Sequence, residues 1–284
     1  SFTRGFKPGG SNLTYGYTEA EDAAMGNAIA PPLVLPIFDS ESIAAYEAGL
    51  KTDLIDGRLR ANVAAFFYEY EDLQFQATDP DVFRGGVANI PEAEMKGIEL
   101  ELIGIISDSF TFDLKMARLD SEVTKNFDTL DNVKANSTIP APPWCSPVGY
   151  LGFCYEDLRY QNRENIKGNE LAKSPDLTAS ASLRYQTNLS SGNSLFGSID
   201  YVHRGEFQQR VINHPLIDTV KDYNVLNLTA GIDLDGAWGF DLMIFNATNE
   251  DGINSAMTDV FGVNATGIEF IPPRQVMARI SYTF

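Results

Sequence analysis

Side chains able to do covalent or metal chemistry are few: two cysteines and two histidines in 284 residues. Cys145 and Cys154 stand in a Pro/Gly-rich stretch, Trp144 to Tyr155, where a zinc site would need more ligands close by. The pair reads as a disulfide stapling one loop, which requires an oxidising compartment; two free buried thiols is the other reading. His203 falls near the outer end of an alternating segment, and His214 lies in a loop with Asp218 close behind it. General acid–base or nucleophilic catalysis needs a nucleophile or paired carboxylates converging on a histidine, and nothing else converges here. His214 and Asp218 therefore read as a solvated pair. The sequence contains no glycine-rich phosphate loop and no metal-ligand spacing, so neither an enzyme nor a resident cofactor or metal is expected.

Charge narrows the partners. With 21 Lys+Arg against 39 Asp+Glu the net charge is −18, which argues against nucleic-acid binding, whose phosphate contacts need a basic face. The carboxylates gather in loops and turns such as Glu19 to Asp22 and Asp128 to Asp131, where they keep segments soluble; bridging to lipopolysaccharide phosphates through divalent cations is a functional gloss on the same residues. Hydrophobic residues make up 44%, enough for a core, yet stretches such as Asn62 to Phe67 and Ala30 to Phe38 are too short or too broken to be a transmembrane helix. A membrane role then requires a β-barrel, which hides its apolar band in alternate residues.

The elements that must position these groups alternate with period two. In Leu177 to Gln186, Leu177, Ala179, Ala181, Leu183 and Tyr185 share one face, while Thr178, Ser180, Ser182, Arg184 and Gln186 share the other. The pattern recurs from Leu195 to Arg204, Leu226 to Asp233 and Phe110 to Met116. By the same rule it covers Tyr46 to Leu54, Leu59 to Gln76, Gly97 to Ile106, Trp238 to Asn246 and Gln275 to Phe284. With the opening stub Ser1 to Phe6, which reads as the end of a strand, about ten antiparallel strands are expected. Tight turns are predicted at Asp56-Gly57, Ser107 to Ser109, Gly192-Asn193 and Asp235-Gly236. The opposite ends carry the long loops Lys7 to Ser42, Ala77 to Ala88, Thr124 to Pro175, Val211 to Asp222 and Glu250 to Pro273. Short turns on one side and long loops on the other is the asymmetry of an outer-membrane barrel, with the turns toward the periplasm. A soluble β-sandwich also alternates, but its polar face should be densely charged, and here that face is rich in Thr, Ser, Asn and Gly.

Several segments carry a family resemblance: Phe2-Thr3-Arg4-Gly5-Phe6-Lys7-Pro8-Gly9-Gly10; Tyr46-Glu47-Ala48-Gly49-Leu50-Lys51; Phe66-Phe67-Tyr68-Glu69-Tyr70-Glu71-Asp72-Leu73-Gln74; Ala93-Glu94-Met95-Lys96-Gly97-Ile98-Glu99; Phe245-Asn246-Ala247-Thr248-Asn249-Glu250; and Pro273-Arg274-Gln275 running to Tyr282-Thr283-Phe284. In this order the chain resembles the C-terminal half of a TonB-dependent outer-membrane receptor of the siderophore type. The resemblance implies an all-β, antiparallel transmembrane barrel of about 22 strands closed by a plug domain, of which residues 1–284 would supply about ten C-terminal strands. It implies localisation in the bacterial outer membrane, import of a scarce nutrient with ferric siderophore as the commonest cargo, and contact with the TonB complex through a plug outside these residues. Cobalamin, glycans and peptides are the other cargoes. A self-contained small barrel acting as a passive channel is the alternative reading, and a barrel enzyme a distant third.

Two groups of residues take roles under this reading. Trp144, Tyr150, Phe153, Tyr155, Arg159, Tyr160 and Arg163 surround the cysteine pair in the longest loop and are the candidates for contact with a small-molecule ligand, against the plainer alternative of loop packing. Ile280, Tyr282 and Phe284 lie on one face of the closing strand and end in an aromatic residue, which resembles the signal read by barrel-assembly machinery.

Overall fold

The computed structural model describes residues 1–12, 34–79, 84–131, 163–189, 192–234, 237–258 and 266–284. Ten strands form one antiparallel sheet in chain order: β1 (Phe2–Lys7), β2 (Glu41–Leu54), β3 (Leu59–Asp79), β4 (Arg84–Ser107), β5 (Phe110–Val123), β6 (Leu177–Asn188), β7 (Ser194–Arg204), β8 (Tyr223–Leu234), β9 (Trp238–Phe245) and β10 (Gln275–Tyr282). Each strand pairs with its sequence neighbour, as hairpin connections dictate, and the sheet does not close: β1 and β10 are its two edges.

Register converts the alternation of the sequence into two continuous faces. Leu102, Leu114, Ala181, Tyr201 and Leu226 lie opposite one another across β4 to β8, and Phe112, Leu183, Ile199, Leu228, Ile244 and Val276 form another such row across β5 to β10. This outward face is apolar and open, with Leu50, Ile98, Ile199, Leu242 and Ile280 all exposed. The other face carries Asn62, Glu101, Lys115 and Ser180 in one row, and Asp113, Ser182, Asp200 and Asn227 in another. On β5 the apolar run starts at Phe110, whose ring lies 4.7 Å from that of Tyr185, and ends at Arg118. Those eight steps span about 27 Å along the strand at about 3.4 Å each, the height of a bilayer's apolar band. Aromatic rings mark both borders. Trp238 and Tyr282 lie 4.7 Å apart at the short-turn end, while Phe2, Tyr46 and Phe67 form a chain of contacts of 5.0 and 6.3 Å at the other.

The tight turns fall where expected. The turn after β2 uses left-handed Ile55, Asp56 and Gly57, and Gly192 has φ of 81°; the Asp235-Gly236 turn lies outside the described residues. The long-loop side departs from expectation. The Ala77 to Ala88 segment is mostly strand, because β3 and β4 run 21 and 24 residues and pair as far as Asp79 opposite Arg84. What holds the extension is inward packing rather than lipid: Ala77 and Ala88 are buried with Val34, and the Asn12 amide donates to the Val87 carbonyl and accepts from the Val87 N–H, both at 2.8 Å. The packed face also changes parity along this hairpin. Below Asp72, which has φ of 54°, Tyr70 packs inward; above it Leu73 and Phe75 do, and on β4 Pro91 separates inward Ala93 from inward Ile90. Short ribbons also stand in the other loops, pairing Gly10–Ser11 with Ile37–Phe38, Asp128–Leu130 with Arg163–Asn165, Phe207–Gln208 with Thr219–Val220, and Ile253–Thr258 with Thr266–Phe270.

Glycines on neighbouring strands seat aromatic rings. A Cβ on Gly97 would lie 2.5 Å from Cζ of Phe66 and 2.5 Å from the Arg118 carbonyl oxygen, and one on Gly231 would strike the Phe196 ring. Replacing Gly97 by Ala forces either the ring or the ladder to move, and overpacking of this kind costs about 1–3 kcal/mol. The folded fraction in a heat-modifiability gel should fall at a lower temperature for Gly97→Ala, with partial recovery when Phe66→Ala is added; an unchanged midpoint would remove the ring seat as a stabilising contact.

Candidate functional site

Among the described residues the largest buried cluster lies at the long-loop end, on the face that also carries the polar rows. Ile90 and Ala93 of β4 and Val123 of β5 are covered by Ile166, Leu171 and Val211 from the loops, with Tyr70, Leu73, Phe75, Met95 and Phe127 packed around them. Phe75 and Phe127 meet edge to face at 5.8 Å. Backbone and side-chain hydrogen bonds fix this layer to the sheet: Val123 N–H donates to the Asn169 carbonyl at 2.9 Å, the Leu171 N–H to Ser121 Oγ at 3.1 Å, and the Asn169 amide to the carbonyls of Val211 and Ile212.

Beside the apolar layer lies a buried ionic network that joins three loops. Arg210 Nε donates to Asp218 Oδ1 at 2.6 Å, and Arg210 Nη2 lies 3.7 Å from Asp131 Oδ1. Asp218 Oδ2 accepts the backbone N–H of His214 at 2.7 Å, and His214 Nε2 is 3.9 Å from Asp131 Oδ2. Both carboxylate side chains are fully buried. Next to Asp218, the Gln209 amide donates to the Ile217 carbonyl and to Thr258 Oγ1, at 3.1 and 2.9 Å, which brings in the last loop. Arg204 lies 4.2 Å over the Phe207 ring and donates to the Asn254 carbonyl, reinforcing the same junction. Asp218 takes two charge-assisted bonds, from Arg210 Nε and the His214 N–H, while buried Arg210 Nη2 faces Asp131 without a hydrogen bond.

This corrects the solvated-pair reading of His214 and Asp218. Asp218 is buried and holds the loop through a main-chain N–H rather than through the imidazole, whose Nδ1 accepts from Leu216 N–H at 3.3 Å. The signal was present as Arg210, His214 and Asp218 within one short loop. Asp131 could not be added from the sequence, because its partner loop is remote in the chain. Among the described residues the His214 ring makes no hydrogen bond to a serine, threonine or cysteine. His203 is elsewhere: it faces outward at the end of β7, with Nδ1 2.9 Å from Asn224 Oδ1, an oxygen that also accepts from the Tyr201 hydroxyl.

The expected ligand residues Trp144, Tyr150, Phe153, Tyr155, Arg159 and Tyr160, and the cysteines Cys145 and Cys154, lie outside the described residues. Arg163 is described in its backbone, paired with Leu130 in the ribbon that ends next to Asp131. The 132–162 segment therefore leaves and re-enters the described structure beside the ionic network. Nearby, partial burial raises the Glu170 carboxyl above the usual carboxylate range, with Glu206, Asp176 and Asp120 adding like-charge repulsion. On the same face of the sheet a trough of about 930 Å³ is lined by Lys51, Asn62, Glu99, Glu101, Lys115 and Ser180, among others. Ile280, Tyr282 and Phe284 do share one outward face: Tyr282 packs on Trp238 and meets Phe284 edge to face at 5.4 Å.

An apolar band between aromatic borders, a polar opposite face and loops massed at one end define the wall of a membrane-spanning β-barrel. The model of the family described as TonB dependent receptor-like, beta-barrel, matches residues 1–249, and the chain belongs to that family. Its place is the outer membrane of a Gram-negative bacterium. Among curated relatives, the probable TonB-dependent siderophore receptor PiuA of Acinetobacter baumannii is 34% identical over 90 residues, 32% of this chain and 11% of PiuA. The metal-pseudopaline receptor CntO of Pseudomonas aeruginosa is 34% identical over 90 residues, 31% of this chain and 12% of CntO. The fold is shared with the ferric yersiniabactin uptake receptor FyuA from Yersinia pestis, at a TM-score of 0.67 and 16% identity over 100% of this chain and 34% of that one. The PiuA crystal structure gives a TM-score of 0.63 and 19% identity, covering 99% and 33%. The chain thus spans about a third of the length of these receptors.

Proposed function

We propose that this chain is the C-terminal ten-stranded part of the barrel of a TonB-dependent transporter that imports a ferric siderophore. The observation that carries the proposal is the locking of three long loops into one buried layer over the polar face of the sheet, at the end away from the short turns. Such a layer gives a ligand-contacting loop a rigid base, and the described residues that flank the 132–162 segment, Asp131 and Arg163, belong to it or pair beside it. The aromatic and arginine side chains of that segment, from Trp144 to Arg163, would then meet the cargo, with a Cys145–Cys154 bridge restraining them. The trough on the polar face is suited to a plug domain, through which the TonB complex would act. Ile280, Tyr282 and Phe284 would be read by the barrel-assembly machinery. The protein would work as a receptor and transporter rather than an enzyme, consistent with histidines committed to separate structural contacts.

Growth of a deletion strain under iron limitation, with hydroxamate, catecholate and mixed-chelate ferric siderophores supplied one at a time, tests this. At least one should support growth only when the gene and TonB are both intact. Equal growth on every chelate with and without the gene would sink the siderophore reading, and induction under carbon limitation would turn the cargo toward a glycan.

A further inference from the structure

The outward face of β5 reads Phe110, Phe112, Leu114, Met116 and then Arg118, Asp120, Glu122. Arg118 is exposed, lies opposite Ile98 on β4 and Leu177 on β6, and its side chain has no hydrogen bond or ion pair among the described residues. An exposed guanidinium without a partner at the border of an apolar band can take an anion from the membrane side. Diagonal to it, Lys96 also faces outward, opposite Phe67 and 3.1 Å from Asp120. The aromatic contacts from Phe67 through Tyr46 to Phe2 place this level at the membrane interface. Above it the sheet turns sharply acidic. Glu69, Glu94 and Glu122 lie directly opposite one another, and Glu71 faces Glu92 in the next row. Like charges in register are unfavourable and make a field that keeps an anion from rising past Lys96 and Arg118. The apolar band keeps it from sinking. The two cations, in a chain of net charge −18, thus define one depth for one kind of group.

We propose that Arg118 and Lys96 form a docking site for a phosphate of the outer-leaflet glycolipid, lipopolysaccharide. Arg118 takes the phosphate through its planar fork, and Lys96, positioned by Asp120, adds a second charge. This rests on the outer-membrane transporter reading above.

The test uses the full receptor extracted from outer membranes in mild detergent. Retained glycolipid is quantified by mass spectrometry, and binding is measured to vesicles containing diphosphorylated lipid A or its dephosphorylated form. Arg118→Gln with Lys96→Gln should lower retention and binding to the phosphorylated vesicles by about fivefold per charge removed, Arg118→Lys should restore part, and Lys221→Gln in an exposed loop should change neither. Equal retention in the double variant, equal binding to both lipid forms, or the same loss with Lys221→Gln would overturn the site. Receptor found in the outer-membrane fraction with unchanged lipid refutes the docking site alone, whereas receptor absent from that fraction refutes the transporter reading with it. If Arg118→Gln does not assemble, Arg118→Lys against Lys96→Gln alone gives the same comparison.

Discussion

Replacing Asp218 by Ala is expected to open the loop between β7 and β8 by about 3–5 kcal/mol while leaving the sheet folded. The side chain is fully buried and accepts both Arg210 Nε and the His214 N–H, so its loss leaves Arg210 only the longer approach to Asp131 and takes the acceptor from the His214 N–H. Hydrogen exchange reads this directly, at the Gln209 amide that donates to the Asp218 carbonyl and at the His214 amide that donates to its side chain. Both should lose most of their protection, and amides of β6 and β7 should keep theirs. Adding Arg210→Met also takes the cation from buried Asp131 and should deepen the loss. Unchanged exchange in the single variant would mean that the apolar layer alone holds the loops.

The second large effect belongs to the lipid face. Leu114 stands midway on β5 between Phe110 and Arg118, opposite Leu102 and Ala181, so Leu114→Arg puts a charge near the middle of the apolar band. The cost should be about 2–4 kcal/mol. Ser182→Arg faces the lumen beside Asp113 and Asp200 and should cost less than about 1 kcal/mol. Leu183, adjacent to Tyr185 at the border, should fall between them, since the penalty declines toward the interface. Denaturant titration of receptor refolded into thin-bilayer vesicles gives the three values. A Ser182 variant as costly as the Leu114 variant would mean the faces are assigned the wrong way round.

The strands were legible because lipid and lumen impose a strict sorting of every second residue, as in Leu177 to Gln186, and the turns because Asp56-Gly57 and Gly192 carry the left-handed conformations they need. The outer end was read less well for a physical reason. Above the membrane the sheet is held by contacts between remote segments, such as Val34 against Ala77 and Ala88, or Asp131 against Arg210, and no local period announces those. For His214 and Asp218 proximity in sequence suggests a side-chain pair, while the carboxylate bonds a main-chain N–H. The proposed ligand residues from Trp144 to Tyr160 rest on composition alone, because aromatic and cationic side chains in a long loop show an appetite for contact without showing its geometry.

The parity change at Asp72 and Pro91 works like a phase slip in a wave. Seen as a tolerance map, charges along β3 should be refused at Val63, Ala65 and Phe67, which face lipid, accepted at outward Glu69 and Glu71, and refused again at Leu73 and Phe75, which have the same parity but now face the inner layer. β4 should show the matching exchange of face at Pro91, with Ile98 and Leu100 refusing charge toward lipid and Ile90 toward the layer. Any design or alignment that carries one phase through the whole hairpin would put Leu73, Phe75 and Ile90 into water, and inserting one residue at Asp72 would put the two halves of the strand back in step at the expense of the layer that the loops rest on.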